Sequence, residues 1–229
     1  SEVPMRIARS TLIGVLLLPL AACVLGADSK EAATPEIRPA TMDDVKVMFN
    51  GHDLSGWWGD MNLYHVENGE IVGKTEKGIR KNEFLKSRFS FGDFRLICKI
   101  KLVPDSANSG IQFHSQPFEG NEMAGPQADA GKGWWGKLYG ENFHNKVLAD
   151  NQSGQGIVKM DEWNTYEVVA VGTKIRTAMN GHPCVEYDAP DVPTSGLFGL
   201  QVHAGGPTEV RFKDFEVELN PKLELKTVK

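Results

Sequence analysis

The chain has 229 residues, 41% of them hydrophobic and 24% charged, a globular composition that excludes a disordered tail or a collagen-like fibre. A formal net charge of -5 lacks the basic footprint of a nucleic-acid binder. Three cysteines are too few for a disulfide scaffold, while 24 glycines and 12 prolines signal many turns.

Residues 1–27 read as a signal peptide. Arg6 and Arg9 precede a short apolar run over 12–20 that Pro19 interrupts, too short to span a bilayer comfortably. Leu20-Ala21-Ala22-Cys23 has the form of a bacterial lipobox, with Leu25-Gly26-Ala27 as the soluble-secretion alternative. Either way the expectation is export to the periplasm or cell surface, with membrane contact only through a lipid on Cys23. Residues 28–44 are poor in apolar side chains and read as a flexible tether.

Residues 45–220 read as all-β. Phe94, Leu96, Cys98, Ile100 and Leu102 alternate with Arg95, Ile97, Lys99 and Lys101, the period of a half-buried strand. Asn68-Gly69 and Asn180-Gly181 each lie between strand-like runs and tolerate positive φ at both turn positions, predicting two hairpins. Between Val210/Phe212 and Phe215/Val217/Leu219 the apolar parity slips by one, which a β-bulge near Lys213-Asp214 reconciles. No segment sustains a helical period. The architecture expected is a sandwich of two antiparallel sheets, followed by a tail over 221–229.

Between Val103 and Trp163 the alternation fades, and Gly, Asn, Gln, His and Trp accumulate. Long irregular stretches in a compact β domain tend to carry function. Gln112 and His114 share strand parity, as do Gln127 with Asp129 and Tyr139 with Glu141, so each pair points to one face. Trp134 and Trp135 point opposite ways in an extended chain. One packs in the core, and the other offers an aromatic face to a sugar ring. His203, one residue past the apolar Val202, is a further candidate for the same groove. Cys98 and Cys184 would pair only with Cα atoms within about 7 Å. His114, Asp129, Glu141 and His203 are ligand types for a divalent ion, but their wide spacing forms no compact motif, so no metal or other cofactor is expected.

Four blocks carry a family resemblance. Phe49-Asn50-Gly51-His52-Asp53-Leu54-Ser55-Gly56-Trp57 resembles an opening signature of the 3-keto-disaccharide hydrolase domain family. Asn108-Ser109-Gly110-Ile111-Gln112-Phe113-His114 resembles the second. The stretch from Gly125 through Gln127, Asp129, Trp134, Trp135 and Tyr139 to Glu141 resembles the third, and Gly199-Leu200-Gln201-Val202-His203 matches a later one. The resemblance implies a jelly roll similar to concanavalin-type lectins and glucanases, and activity on oxidised sugars. The sequence departs from the pattern at Gly125, where some members have Glu, and at His114 and His144, where others have Arg.

A ketone at carbon 3 of a sugar acidifies the hydrogen at carbon 2. A base removes that hydrogen, a donor holds the enolate, and an acid protonates the leaving oxygen at carbon 1. For these roles the sequence offers Glu141 and Asp129 as base or acid and His114 as the second acid/base or the enolate donor. Gln112, Gln127, Trp134, Trp135, Tyr139, His144 and His203 are the candidates for holding an oligosaccharide or oxidised glycoside. The alternatives are a non-catalytic carbohydrate-binding module, for which the same tryptophans and carboxamides would suffice, and a surface-tethered structural domain.

Overall fold

The computed structural model describes residues 36–104 and 106–229. The signal-peptide reading, with Cys23, lies outside the described residues, as does the first part of the tether.

In chain order come β1 (Arg38–Pro39), α1 (Met42–Met48), β2 (Trp57–Trp58), β3 (Tyr64–Glu67), β4 (Glu70–Thr75), β5 (Glu83–Phe91), β6 (Phe94–Val103) and β7 (Asn108–Pro117). Then follow β8 (Met123–Gly131), β9 (Leu138–Glu141), β10 (Val147–Ala149), β11 (Asn164–Val171), β12 (Lys174–Met179), β13 (His182–Asp188), β14 (Gly196–Val202) and β15 (Thr208–Leu219). One sheet runs β1-β5-β14-β7-β8-β9-β10, with β2 also on β5, and the other runs β13-β12-β11-β6-β15-β4-β3. Every pairing is antiparallel except β1 with β5. This is the two-sheet sandwich expected, of jelly-roll type.

The core lies between the sheets. The inward set of β6 (Phe94, Leu96, Cys98, Ile100, Leu102) packs with Ile111, Phe113, Ala128, Phe198 and Leu200 of the first sheet. A Leu or Phe side chain buried to this degree contributes roughly 1.5–3 kcal/mol relative to exposure. Both hairpin turns form, with Asn68 and Gly69 at φ 53° and 80° and Asn180 and Gly181 at 49° and 82°. The register shift lies between Lys213 and Glu216, with Asp214 at φ 52°, so the parity slip is a bulge. Cys98 and Cys184 are both buried free thiols.

Two stretches differ from the sequence reading. Arg38–Pro39 pairs with β5, and α1 begins at Met42, so the segment 36–44 belongs to the folded body. The helix escaped notice because seven residues are too few to show a period. Its start is set by a capping box in which Thr41 Oγ1 accepts from the Asp44 N–H and the Asp44 carboxylate accepts from the Thr41 N–H. Arg38 grips the same carboxylate through both terminal nitrogens at 2.7 Å, and this donation with that of Thr41 holds Asp44 well below the usual carboxylate range. The segment 221–229 also docks. The buried Glu167 carboxylate accepts from the N–H groups of Lys226 and Thr227 at 2.8 Å, while Arg95 donates to the carbonyls of Lys222 and Glu224.

Candidate functional site

The first sheet has a second face, turned away from the core, and strand parity selects what stands on it. On β14, Phe198, Leu200 and Val202 point inward, which leaves Leu197, Gly199 and Gln201 on the outer face. Cross-strand register carries the outer row from Lys86 on β5 through Gly199, Gln112 and Gln127 to Tyr139 on β9. Along β8, Gln127 and Asp129 alternate with the inward Ala128 and Ala130.

Two halves of this face differ. Over β5 and β14, Phe84, Met123 and Leu197 form a separate apolar cluster, flanked by Ile37 and Trp58. Lys86 is buried beside it with its ammonium 4.6 Å from the Trp58 ring centre, and burial pulls its pKa down to about 8. Over β8 and β9 lies an open groove of about 830 Å³, walled by Gln127, Asp129, Tyr139 and Glu141 and closed at the sides by Asn82, Trp134 and His203. That volume is within the usual range for small-molecule sites.

Asp129 is 3% exposed. Burial pushes its carboxyl up to about 8, against the donation from Gln127, with the Glu141 charge adding and Lys137 opposing. Gln127 Nε2 donates to Asp129 Oδ1 at 2.7 Å and to Gln201 Oε1 at 3.3 Å. The room for this comes from Gly110, where an added Cβ would stand 2.6 Å from the Gln127 side chain. Burial also raises Glu141, opposed by Asn82, whose Nδ2 donates to Glu141 Oε1 at 3.1 Å. The Tyr139 hydroxyl is raised by burial and then by the charges of Glu141 and Asp129. His203 Nδ1 sits 2.6 Å from the Ala204 carbonyl. A carbonyl only accepts, so the proton is on Nδ1 and Nε2 is left free. The Trp134 ring is 37% exposed and meets Tyr139 edge-on at 5.8 Å.

The structure therefore brings together Asp129, Glu141, Gln127, Tyr139, Trp134 and His203. It does not bring the other four to the groove. A register shift between Gln112 and Gln116 breaks the parity that the sequence reading extended to His114. His114 sits at φ 49°, buried edge-on to Phe94 and Phe113, with Nε2 2.8 Å from the Gly92 carbonyl. Burial lowers its pKa. It is a core histidine, so the expected partnership with Asp129 and Glu141 is corrected. Trp135 is the core member of its pair at 1% exposure. His144 lies apart from the groove, paired with Asp191 at 2.8 Å. Gln112 stands in the outer row but is wholly buried behind the groove wall, with both side-chain atoms unpartnered. Asn82 and Asn108 line the groove, and sequence reasoning missed both as site residues. Asn108 had a signal, since its parity is that of Gln112. Asn82 had none, because its reach to Glu141 crosses 59 residues. Among the described residues, no three His, Cys, Asp or Glu side chains converge as metal ligands.

Residues 44–218 match the family described as the 3-keto-alpha-glucoside-1,2-lyase-like domain. No curated protein matches the chain. Among solved structures, a candidate glycosyl hydrolase from Parabacteroides distasonis superposes with a TM-score of 0.58 at 16% identity, covering 73% of this chain and 95% of its own. A second candidate glycosyl hydrolase from that organism gives 0.56 at 20% identity, with 80% and 98% covered. The carbohydrate binding module CBM66 from Bacillus subtilis gives 0.52 at 17% identity, with 71% and 95% covered. At these identities the likeness is one of fold.

Proposed function

The chain belongs to the 3-keto-alpha-glucoside-1,2-lyase-like domain family, and from that premise we propose that its groove cleaves a 3-keto-glycoside by elimination followed by hydration. The observation that carries the reading is the pair of carboxyls, Asp129 and Glu141, on adjacent strands of one groove beside an exposed tryptophan face. Their environments differ in the way an acid and a base require. Asp129, nearly sealed from water and pushed up to about 8, carries a proton at neutral pH. Glu141 is more open and is held by Asn82.

In this scheme Glu141 removes the hydrogen from carbon 2, and the electron pair moves to the carbon 3 oxygen, where Tyr139 donates. Asp129 protonates the oxygen at carbon 1 as that bond breaks, leaving an unsaturated ketone and the free aglycone. Water then adds across the double bond. Asp129, now a carboxylate, takes its proton as oxygen bonds to carbon 1, and Glu141 returns the hydrogen to carbon 2. Trp134 supports the ring, and the free His203 Nε2 accepts from a hydroxyl. The second acid/base role expected of His114 has no place here. The leader over 1–27 would deliver this domain to the periplasm or cell surface, where oligosaccharides are met.

The test is incubation with a 3-keto-glycoside in deuterium oxide. Released aglycone together with deuterium at carbon 2 is the expected result, with Asp129→Asn and Glu141→Gln losing turnover while retaining binding. Full activity in both variants overturns the assignment. The exposed Trp134 face would serve a carbohydrate-binding module equally, and that reading prevails if the protein binds the glycoside and releases nothing.

A further inference from the structure

Gln201 is wholly buried, and the proposed reaction gives it no part. Its side chain nevertheless touches the machinery. Gln127 Nε2 carries two hydrogens, one directed at Asp129 Oδ1 at 2.7 Å and one at Gln201 Oε1 at 3.3 Å. An amide oxygen in that position would face two acceptors, so Gln201 Oε1 decides which way round the Gln127 carboxamide sits. The two atoms left over are Gln127 Oε1 and Gln201 Nε2, an acceptor and a donor, both buried without a partner.

We propose that Gln201 is a positioning residue for Asp129, acting through Gln127, and that the two carboxamides turn over together when Asp129 gains or loses its proton. With Asp129 ionised, the chain runs as the structure holds it: Gln127 N–H to the carboxylate and Gln127 N–H to the Gln201 oxygen. With Asp129 protonated, the turned arrangement has the carboxyl O–H donating to Gln127 Oε1, and Gln201 Nε2 donating to that same oxygen's second lone pair. The same heavy-atom positions serve both forms, so a buried carboxyl keeps its hydrogen bond in each half of a cycle that makes it acid and then base. Gln112, directly across from Gln127 in the ladder, has a free oxygen and a free nitrogen on the same face. Those atoms make no hydrogen bond to Gln127 Oε1 or to any other group, so Gln112 stands outside the chain.

The other groups around Asp129 do not substitute for this switch. Glu141 on β9 and Lys137 before it act on Asp129 through charge alone, and Tyr139 stands beside Glu141. From the opposite sheet, the Tyr166 hydroxyl donates to the Asp129 backbone carbonyl at 3.1 Å, not to its carboxyl.

The proposal rests on Asp129 being the proton carrier of the reading above, but its test needs no substrate. Carbon-13 aspartate carboxyl signals and nitrogen-15 glutamine side-chain signals are followed on the full chain from about pH 6 to about pH 10. In the wild type, the Gln127 and Gln201 amide signals are expected to move with the midpoint of Asp129. In Gln201→Met, which takes the second carboxamide away from both forms, that midpoint moves by ~0.5–1, its direction showing which form Gln201 supports more. Added to Gln127→Met, the same substitution leaves the midpoint within ~0.2, since the intermediary is gone. Wild-type amide signals indifferent to the Asp129 titration overturn the proposal even if Gln201→Met does not fold. Equal shifts from Gln201→Met with and without Gln127 overturn it too. Coupled titration in a protein that releases no aglycone supports the positioning role and sinks the reaction instead.

Discussion

Asn82 Nδ2 donates to Glu141 Oε1 at 3.1 Å while Asn82 Oδ1 accepts the backbone N–H of Ala204 at 2.8 Å. One side chain thus ties the Glu141 carboxylate to the backbone beside His203, and both walls of the groove are held by it. Replacing Asn82 by Ala removes a hydrogen bond that favours the ionised carboxylate, so Glu141 titrates at higher pH. The expected outcome is a roughly tenfold loss of kcat/KM near neutrality, with the acid limb of the pH–rate profile moved upward. An unmoved acid limb would show that Glu141 is not the base.

Asp129 makes stability depend on pH in a direction opposite to most carboxylates. Its folded-state value, about 8, lies above the ordinary 3.8, so the folded state binds more protons than the unfolded state between those values. Stability therefore falls as pH rises through that window, by on the order of a few kcal/mol. Asp129→Asn removes the ionisation. Thermal melts at about pH 9 are expected to place the variant above the wild type, with the gap closing by about pH 4.

Trp134 and Trp135 are neighbours with opposite fates, and substitution separates them. Trp134→Ala should weaken glycoside binding about tenfold in titration calorimetry while changing stability by less than ~0.5 kcal/mol. Trp135→Ala opens a cavity in the core and should cost ~3–5 kcal/mol in urea unfolding. Equal effects from the two would contradict their placement.

The docked segment 221–229 predicts a stability effect far from the groove. Glu167 and Arg95 are both buried and 3.3 Å apart, and the segment supplies N–H donors to one and carbonyl acceptors to the other. Removing residues 221–229 strips those partners from two buried charges and should cost ~2–4 kcal/mol. Glu167→Ala, which leaves Arg95 without its buried partner, should cost ~3–5 kcal/mol. Chemical denaturation measures both, and an unchanged midpoint in both would refute the clamp.

What the amino-acid order determined by itself is whatever depends on neighbours along the chain. The period of two in β6 sets its buried face, Asn68-Gly69 and Asn180-Gly181 set two turns, and the parity slip in β15 sets a bulge. In each case the physics is a local backbone preference or a strand alternation. Gln127 with Asp129, and Tyr139 with Glu141, were legible for the same reason, as pairs two apart on one strand. His114 was misread because a bulge interrupts its strand, and no composition signal marks it as the parity slip marks β15. The tertiary structure alone decided the rest. It brought Asn82 to Glu141, set Gln201 behind Gln127, and put Trp134 rather than Trp135 at the groove. It also laid the C-terminal segment across Arg95 and Glu167. These are contacts between strands distant in sequence, formed only when burial of the core fixes sheet order and register. Desolvation, which pushes the Asp129 carboxyl up to about 8, exists only after that burial.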